Sequence, residues 1–307
     1  MGGSVLVVMV DDPEELGRRA AALGNPRKAF VMWSDAAALG HVQAMFEVGV
    51  CYGLGKGVAR DVERAVECYR VAALAGHGEA AYLLSCCYDA GEGVGQDQRL
   101  RVKWLKVAAE HRFEDGLLVL GFCYFAGQGV RRNHKLAVDC YRAAARLGSV
   151  KGRYNLALCY RYGEGVSRNL GHAWRWAMSA AELGHQLAPE LLLQIAMCYR
   201  DGEGVRVNHG KAFDLFLELA ESGDAAAMLE VGFYFHKGAG CLQSDARAVR
   251  WYRRAADAGE ATACMNLAQC YASAQGVRRD LKAARAWARK AVARRANGAK
   301  ELLQNLT

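Results

Sequence analysis

Proline is nearly absent from this chain, with three in 307 residues. Few points therefore force the backbone out of a helix, and no stiff proline-rich linker separates parts of the chain. One continuous domain is expected. No run approaches the roughly 18 apolar residues that span a bilayer. The apolar stretch Ser4–Val10 is short, lacks a basic leader, and meets Asp11-Asp12-Pro13 at once, without a small-residue cleavage site. It reads as a segment packed on the first helices, not as a secretory signal. Gly2 suits a myristoyl acceptor, but Leu6 stands where Ser or Thr is wanted.

Chemistry-bearing patterns are equally scarce. The eight histidines lie mostly between helical segments, and none sits in a His-x-x-x-His or Cys-x-x-Cys setting that would suit zinc. The Gly-rich runs Gly53–Gly57 and Gly91–Gly95 lack the preceding strand and the Lys-Ser/Thr of a phosphate loop, so they are turn glycines. No catalytic residue, cofactor or metal ligand is assigned, and the expectation is a protein that is not an enzyme.

What the chain does have is rhythm. The motif Gly-x-Gly-Val, or a close relative, recurs seven times, its last position falling at Val58, Val94, Val130, Val166, Val205, Cys241 and Val277. The steps are 36, 36, 36, 39, 36 and 36 residues, a period that marks a tandem array whose units bury their apolar faces against their neighbours. Ten residues before each valine position is an aliphatic, nine before it a small residue, and six before it an aromatic (Leu156, Ala157 and Tyr160 in the fourth unit). Spacings of one and four fit a helix with one buried face, here called helix A. Glycine ends it at low steric cost. Three residues past the valine stands Asp61, Asp97, Asn133, Asn169, Asn208, Ser244 or Asp280, side chains that cap a new helix. That helix, helix B, carries Ala65, Ala137, Ala173, Ala212, Ala248 and Ala284 on its packed face, bulky residues such as Trp104 and Trp251 one turn on, and an Ala-Ala ending before a glycine. Each unit is thus helix–turn–helix, and the fold class is all-α.

The pattern resembles the Sel1-like repeat family, most closely at Asn155–Val166, and the resemblance covers roughly residues 14–300. It implies a right-handed α-solenoid similar to tetratricopeptide arrays, with helix A lining a concave groove, in a family made up mostly of adaptors and scaffolds. Seven repeats are expected at about 43–78, 79–114, 115–150, 151–186, 187–225, 226–261 and 262–297. Residues 1–42 hold an N-terminal segment and a degenerate capping repeat, with Glu14–Leu23 as its shortened helix A and Asn25-Pro26, Trp33, Ala36-Ala37 and Gly40 as its helix B; residues 298–307 are a tail. Three places break the rhythm: Arg101 and Arg112 replace an alanine and a glycine, three residues are inserted at His185–Pro189, and Cys241 and Ala274 stand in the motif itself. The insertion either changes the superhelical pitch or is a longer surface loop.

Six of the eleven cysteines (51, 87, 123, 159, 198 and 270) share one register on helix A. Equivalent positions of packed helices lie about 8–10 Å apart, too far for a disulfide, which needs Cα atoms within ~4.4–6.8 Å. They read as small buried thiols. Some relatives staple helix A to helix B with a cysteine pair in each repeat; here only Cys264 fits that pattern, facing Val292. A reducing compartment follows: cytoplasm, or nucleus.

Two surfaces are candidates for partners. The exposed flank of helix A offers Tyr82, Leu83, Phe122 and Phe125 in units two and three, then Asn155, Arg161, Gln194, Arg200, His236 and Asn266 in units four to seven. Amides can clamp a peptide backbone and arginines can fork onto carboxylates, so a protein or peptide partner carrying acidic residues is expected there. The second surface is the basic end. Arg278–Lys300 carries nine Lys/Arg and one acid, a charge of +8, while the remainder, with 31 basic and 31 acidic residues, is neutral. Arg278, Arg279, Lys282, Arg285, Arg289, Lys290, Arg294 and Arg295 form a patch able to meet nucleic acid or an anionic membrane, or to serve only as a polar cap. The leading expectation is an adaptor; electrostatic docking is the alternative, and a redox or assembly factor is a third.

Overall fold

The computed structural model describes residues 24–306. Among these residues every regular element is an α-helix, and the fold is an all-α solenoid of helix–turn–helix repeats. Sixteen helices follow one another. They are α1 (Pro26–Ala38), α2 (Val42–Leu54), α3 (Val62–Leu74), α4 (Gly78–Ala90), α5 (Gln98–Glu110), α6 (Glu114–Ala126), α7 (His134–Arg146) and α8 (Val150–Tyr162); then α9 (Leu170–Glu182), α10 (Ala188–Asp201), α11 (His209–Glu221), α12 (Ala225–Lys237), α13 (Asp245–Asp257), α14 (Ala261–Ser273), α15 (Leu281–Ala293) and α16 (Ala299–Asn305). Even-numbered helices from α2 to α14 are the A helices and odd-numbered ones from α3 to α15 the B helices. The described residues group into two compact units, 24–183 and 184–306, where the lack of linkers predicts a single domain. The division falls at the three-residue insertion.

The caps fall where the side chains require them. Each of the seven positions from Asp61 to Asp280 accepts a hydrogen bond from a backbone N–H in the first turn of its B helix, as Asn169 does from His172 N at 2.8 Å. The backbone N–H of the same residues donates to the carbonyl of the conserved-register aromatic on helix A, as Asn169 N does to Tyr160 O at 2.8 Å. The loop is therefore held at both ends. Ala274 holds the left-handed conformation that glycine takes in the other repeats, and so do Arg112 and Arg295 at the glycine position after helix B, a cost of roughly 1–2 kcal/mol each.

Packing within a repeat turns on the small residue of helix A. A Cβ at Gly121 would sit 2.6 Å from the ring of Tyr141, and one at Gly232 would sit 2.5 Å from the ring of Tyr252. These helix B tyrosines are buried, as are Tyr69 and Phe216 in the same register. The principal helix B ring is thus one residue beyond the tryptophan register named from sequence; Trp104 is buried, whereas Trp176, Trp251 and Trp287 are only half-buried.

Packing between repeats turns on the second glycine of the motif. At Gly165 (φ +73°) a Cβ would land on the carbonyl of His134, the first residue of the preceding B helix. Gly57, Gly93, Gly129, Gly240 and Gly276 meet the opening turn of the preceding B helix in the same way. Gly57 rests on Pro26 of α1, so α1 is the helix B of the capping repeat, with Asn25 capping it and Trp33 and Ala36 buried. The expected companion helix Glu14–Leu23 and the segment Ser4–Val10 lie outside the described residues. Residues 298–307 are not a bare tail: α16 lies within them and packs on α15, with the Arg285 Nε donating to the Leu306 carbonyl at 2.6 Å.

Two expected outcomes test this packing. Gly165→Ala combines positive φ with a backbone clash, and should cost about 2–5 kcal/mol in chemical denaturation. Retained stability would show that the loop does not bear on the preceding repeat as described. The second concerns α4, whose cap is His77: its Nδ1 accepts from Ala80 N at 3.1 Å, its Nε2 faces Gln43 Oε1 at 2.9 Å, and its ring stacks on Phe46 at 4.4 Å. Nδ1 can accept only in the neutral ring, and burial pushes the pKa below 6.5 against a weaker opposing pull from Glu47. The folded state therefore binds this proton less readily than the unfolded chain. Stability contributed by His77 is complete above about pH 6.5 and falls as pH drops below it. Melting temperatures measured from about pH 8 to 5 should fall more steeply for wild type than for His77→Asn, whose amide caps without titrating; equal slopes would remove His77 from the account.

Candidate functional site

Helices A bury three registers and expose the stripe between them. Residues eleven, eight and five before the motif valine are spaced by three, so they share one face, exposed or half-buried except at Arg161. In the unit spanning residues 24–183 that face is apolar around α6 and α8. Phe122 is 48% and Tyr162 59% exposed, large rings left open to solvent. With Phe125, Leu158 and Asn155 they line a cleft of about 470 Å³, floored by Tyr141 and Cys159 and edged by Glu164. Phe125 is held by stacking on His134 at 4.7 Å. The dimensions and lining suit an apolar side chain, with Asn155 able both to donate and to accept beside it.

Other residues singled out from sequence do not reach this cleft. Tyr82 is half-buried, its ring against Phe113 at 5.4 Å, and burial pushes its hydroxyl up to about 12. It belongs to inter-repeat packing. Arg161 is buried, 8% exposed, with its guanidinium over the Tyr162 ring at 4.9 Å. Its guanidinium is engaged within the fold and does not stand open to a ligand carboxylate. Leu158, Tyr162 and Glu164 join the cleft from outside the two sequence stripes, Leu158 from the register midway between them.

In the unit spanning residues 184–307 the same face is more polar and partly paired, although Phe233, in the register of Phe122, is 44% exposed. Arg200 binds Asp201 at 2.8 Å and Glu230 at 2.9 Å, and these carboxylates raise its pKa further. Its charge is thus met within the fold, which removes the basis for expecting it to capture an acidic partner. Gln194 donates to Glu190 at 3.1 Å, and His236 Nδ1 lies 2.7 Å from Asp245. His236 and Asn266 line a smaller cleft of about 190 Å³ with Phe233, Lys237 and Gln269.

The basic patch is also partly committed. Arg285 bonds the Leu306 carbonyl, Arg294 donates to the Ala256 carbonyl at 2.5 Å, and the Lys290 ammonium lies over Trp287 at 4.0 Å. Arg278, Arg279, Lys282, Arg289 and Arg295 are exposed. Beside them Arg250, Arg253 and Arg254 of α13 line a cleft of about 380 Å³ with Gly276 and Val277, so the positive surface is broader than the terminal helix alone.

None of the eleven cysteines forms a disulfide, and of the six-membered ladder only Cys87 is not buried. Burial pushes the thiols of Cys87, Cys140, Cys159 and Cys270 up to about 11, which disfavours the thiolate that exchange chemistry needs. Among the described residues no group of three or more His, Cys, Asp or Glu is placed to hold a metal, and no helix is long and apolar enough to cross a membrane.

Comparison with known proteins agrees with this architecture. The Sel1 repeat model matches residues 17–41, 42–77, 78–112, 115–149, 150–185, 189–224, 225–260 and 261–294. Its first match takes in the capping repeat inferred above. Among solved structures, a protective antigen of uropathogenic Escherichia coli strains displaying an SLR fold is 29% identical with a TM-score of 0.63; the alignment covers 96% of this chain and 64% of that one. A Sel1 repeat protein from Oxalobacter formigenes is 26% identical with a TM-score of 0.55, covering 96% and 87%. The search of curated proteins gave no match.

Proposed function

Since this chain belongs to the Sel1 repeat family, whose members generally act as protein-interaction scaffolds, we propose that it is a non-enzymatic adaptor and that its partner docks in the cleft between α6 and α8. One observation carries the reading: two large aromatic side chains, Phe122 and Tyr162, stand open to solvent on successive A helices around a preformed apolar cleft. Exposed rings around a cavity are the usual anchor sites of protein interfaces. The fold does not need them for its core, because the buried registers of the same helices supply it.

A second reading keeps the basic surface as an electrostatic dock for nucleic acid or anionic membrane. It is favoured by the extension of that surface onto Arg250, Arg253 and Arg254. Binding of that kind weakens steeply with salt, whereas anchoring in an apolar cleft does not.

Affinity capture with quantitative mass spectrometry separates the two. Phe122→Ser/Tyr162→Ser should lose a defined protein partner while keeping the wild-type melting temperature. A variant with Arg278, Arg279, Lys282, Arg289 and Arg295 changed to Gln should retain it. The opposite pattern, with loss only in the glutamine variant, would overturn the adaptor reading and favour the basic dock.

A further inference from the structure

The cleft has a charged frame that the sequence does not announce. Asp115 lies seven residues before Phe122 on α6, two helical turns along the same face. Glu79 takes the same register on α4, and Glu47 stands nearby on α2. Burial first, then Glu47 and Asp115, raise the Glu79 carboxyl above its ordinary value, as expected where carboxylates crowd one edge. Across the apolar floor, past the C-terminal end of α8, Glu164 lines the cleft itself and has no ion-pair partner among the described residues. Lys151 takes the register of Asp115 in the next repeat and ends the acidic row. In a chain of net charge +8 this local acidity runs against the average.

We infer that the cleft between α6 and α8 takes a cationic amphipathic segment of a partner protein, its apolar side chains on Phe122 and Tyr162 and its Lys or Arg side chains flanking them toward Asp115 and Glu164. The inference rests on the docking site proposed above and adds the partner's chemistry, which is opposite to the acidic partner expected from Arg161 and Arg200. Carboxylates on both edges and rings between them specify both features at once: an apolar side chain alone leaves the edges unpaired, and a basic segment without an apolar face leaves the rings in water. Edge charges of this kind act mainly through steering and through rejection of acidic competitors.

The test uses the full chain and three fluorescein-labelled synthetic peptides with the same leucine-bearing face, flanked by lysine, glutamine or glutamate, followed by fluorescence anisotropy at low and high salt. The lysine peptide should bind about tenfold more tightly than the glutamine peptide at low salt, the gap narrowing at high salt, with the glutamate peptide weakest. Glu79→Gln/Asp115→Asn/Glu164→Gln should bring the lysine peptide to within about twofold of the glutamine peptide while leaving the latter unchanged, and Phe122→Ser should abolish binding of both. Equal binding of the lysine and glutamine peptides overturns the charge inference and leaves the apolar docking site standing. A lysine preference that survives the triple substitution places the lysines elsewhere and overturns the inference too. Failure of every peptide to bind overturns both readings. Peptide-free protein that sediments as a salt-sensitive oligomer, and becomes monomeric in the triple variant, assigns the face to a second copy's basic end instead.

Discussion

Six described motif loops, those of Gly57, Gly93, Gly129, Gly165, Gly240 and Gly276, rest on the opening turn of the preceding B helix, and the contact is possible only because the second motif residue has no side chain. At Gly165 that means backbone against the His134 carbonyl, in a conformation L side chains avoid. The same approach recurs from Gly57 on Pro26 to Gly276 on Asp245. The period follows from it: one loop, one A helix and one B helix must fit between successive contacts, which holds the spacing near 36 residues. The first motif position is more tolerant. Ala274 adopts the left-handed conformation there, and the equivalent glycines Gly55, Gly91, Gly127 and Gly163 meet side chains and not a helix backbone carbonyl as their nearest neighbours.

Once loop and tyrosine fix the geometry, the core needs only certain registers of helix A. The small residue admits the ring of Tyr69, Tyr141 or Tyr252, the aliphatic beside it fills the interior, and the cysteine register packs as a small apolar group. The intervening stripe lies outside the apolar core, so its chemistry varies from repeat to repeat. It is aromatic on two successive helices around α6 and α8, whereas in residues 184–307 amides and internally paired charges surround a single exposed ring, Phe233. That contrast within an otherwise uniform scaffold is what marks a binding face in a repeat protein.

The scaffold was legible in the sequence because its determinants are local and repeated. The caps from Asp61 to Asp280, the motif glycines and the alanines of helix B announce themselves seven times over, and Asn25-Pro26 with Trp33 identifies the capping helix from one copy. The site was legible only in part. Phe125 and Asn155 stand on the predicted face and meet in the cleft. Arg161 sits in the same register as Phe125 but folds back onto Tyr162, and Arg200 finds Glu230 thirty residues away. Register places a Cα–Cβ bond; it does not say where a long arginine side chain ends or which carboxylate it meets. Leu158 could have been found by completing the three-residue spacing, whereas Tyr162 and Glu164 lie at the helix end, where the stripe gives way to the loop. The packing of α16 on α15 depends on Arg285 reaching the Leu306 carbonyl, a contact outside the repeat and therefore outside its pattern.

The central claim is that this chain holds a protein partner in the cleft between α6 and α8. Hydrogen–deuterium exchange of the free protein and of its captured complex tests it most directly. New protection is expected in residues 115–126 and 150–166, with residues 278–295 unchanged. Protection confined to residues 245–295, with the cleft unaffected, would contradict it and move the working surface to the basic end of the chain.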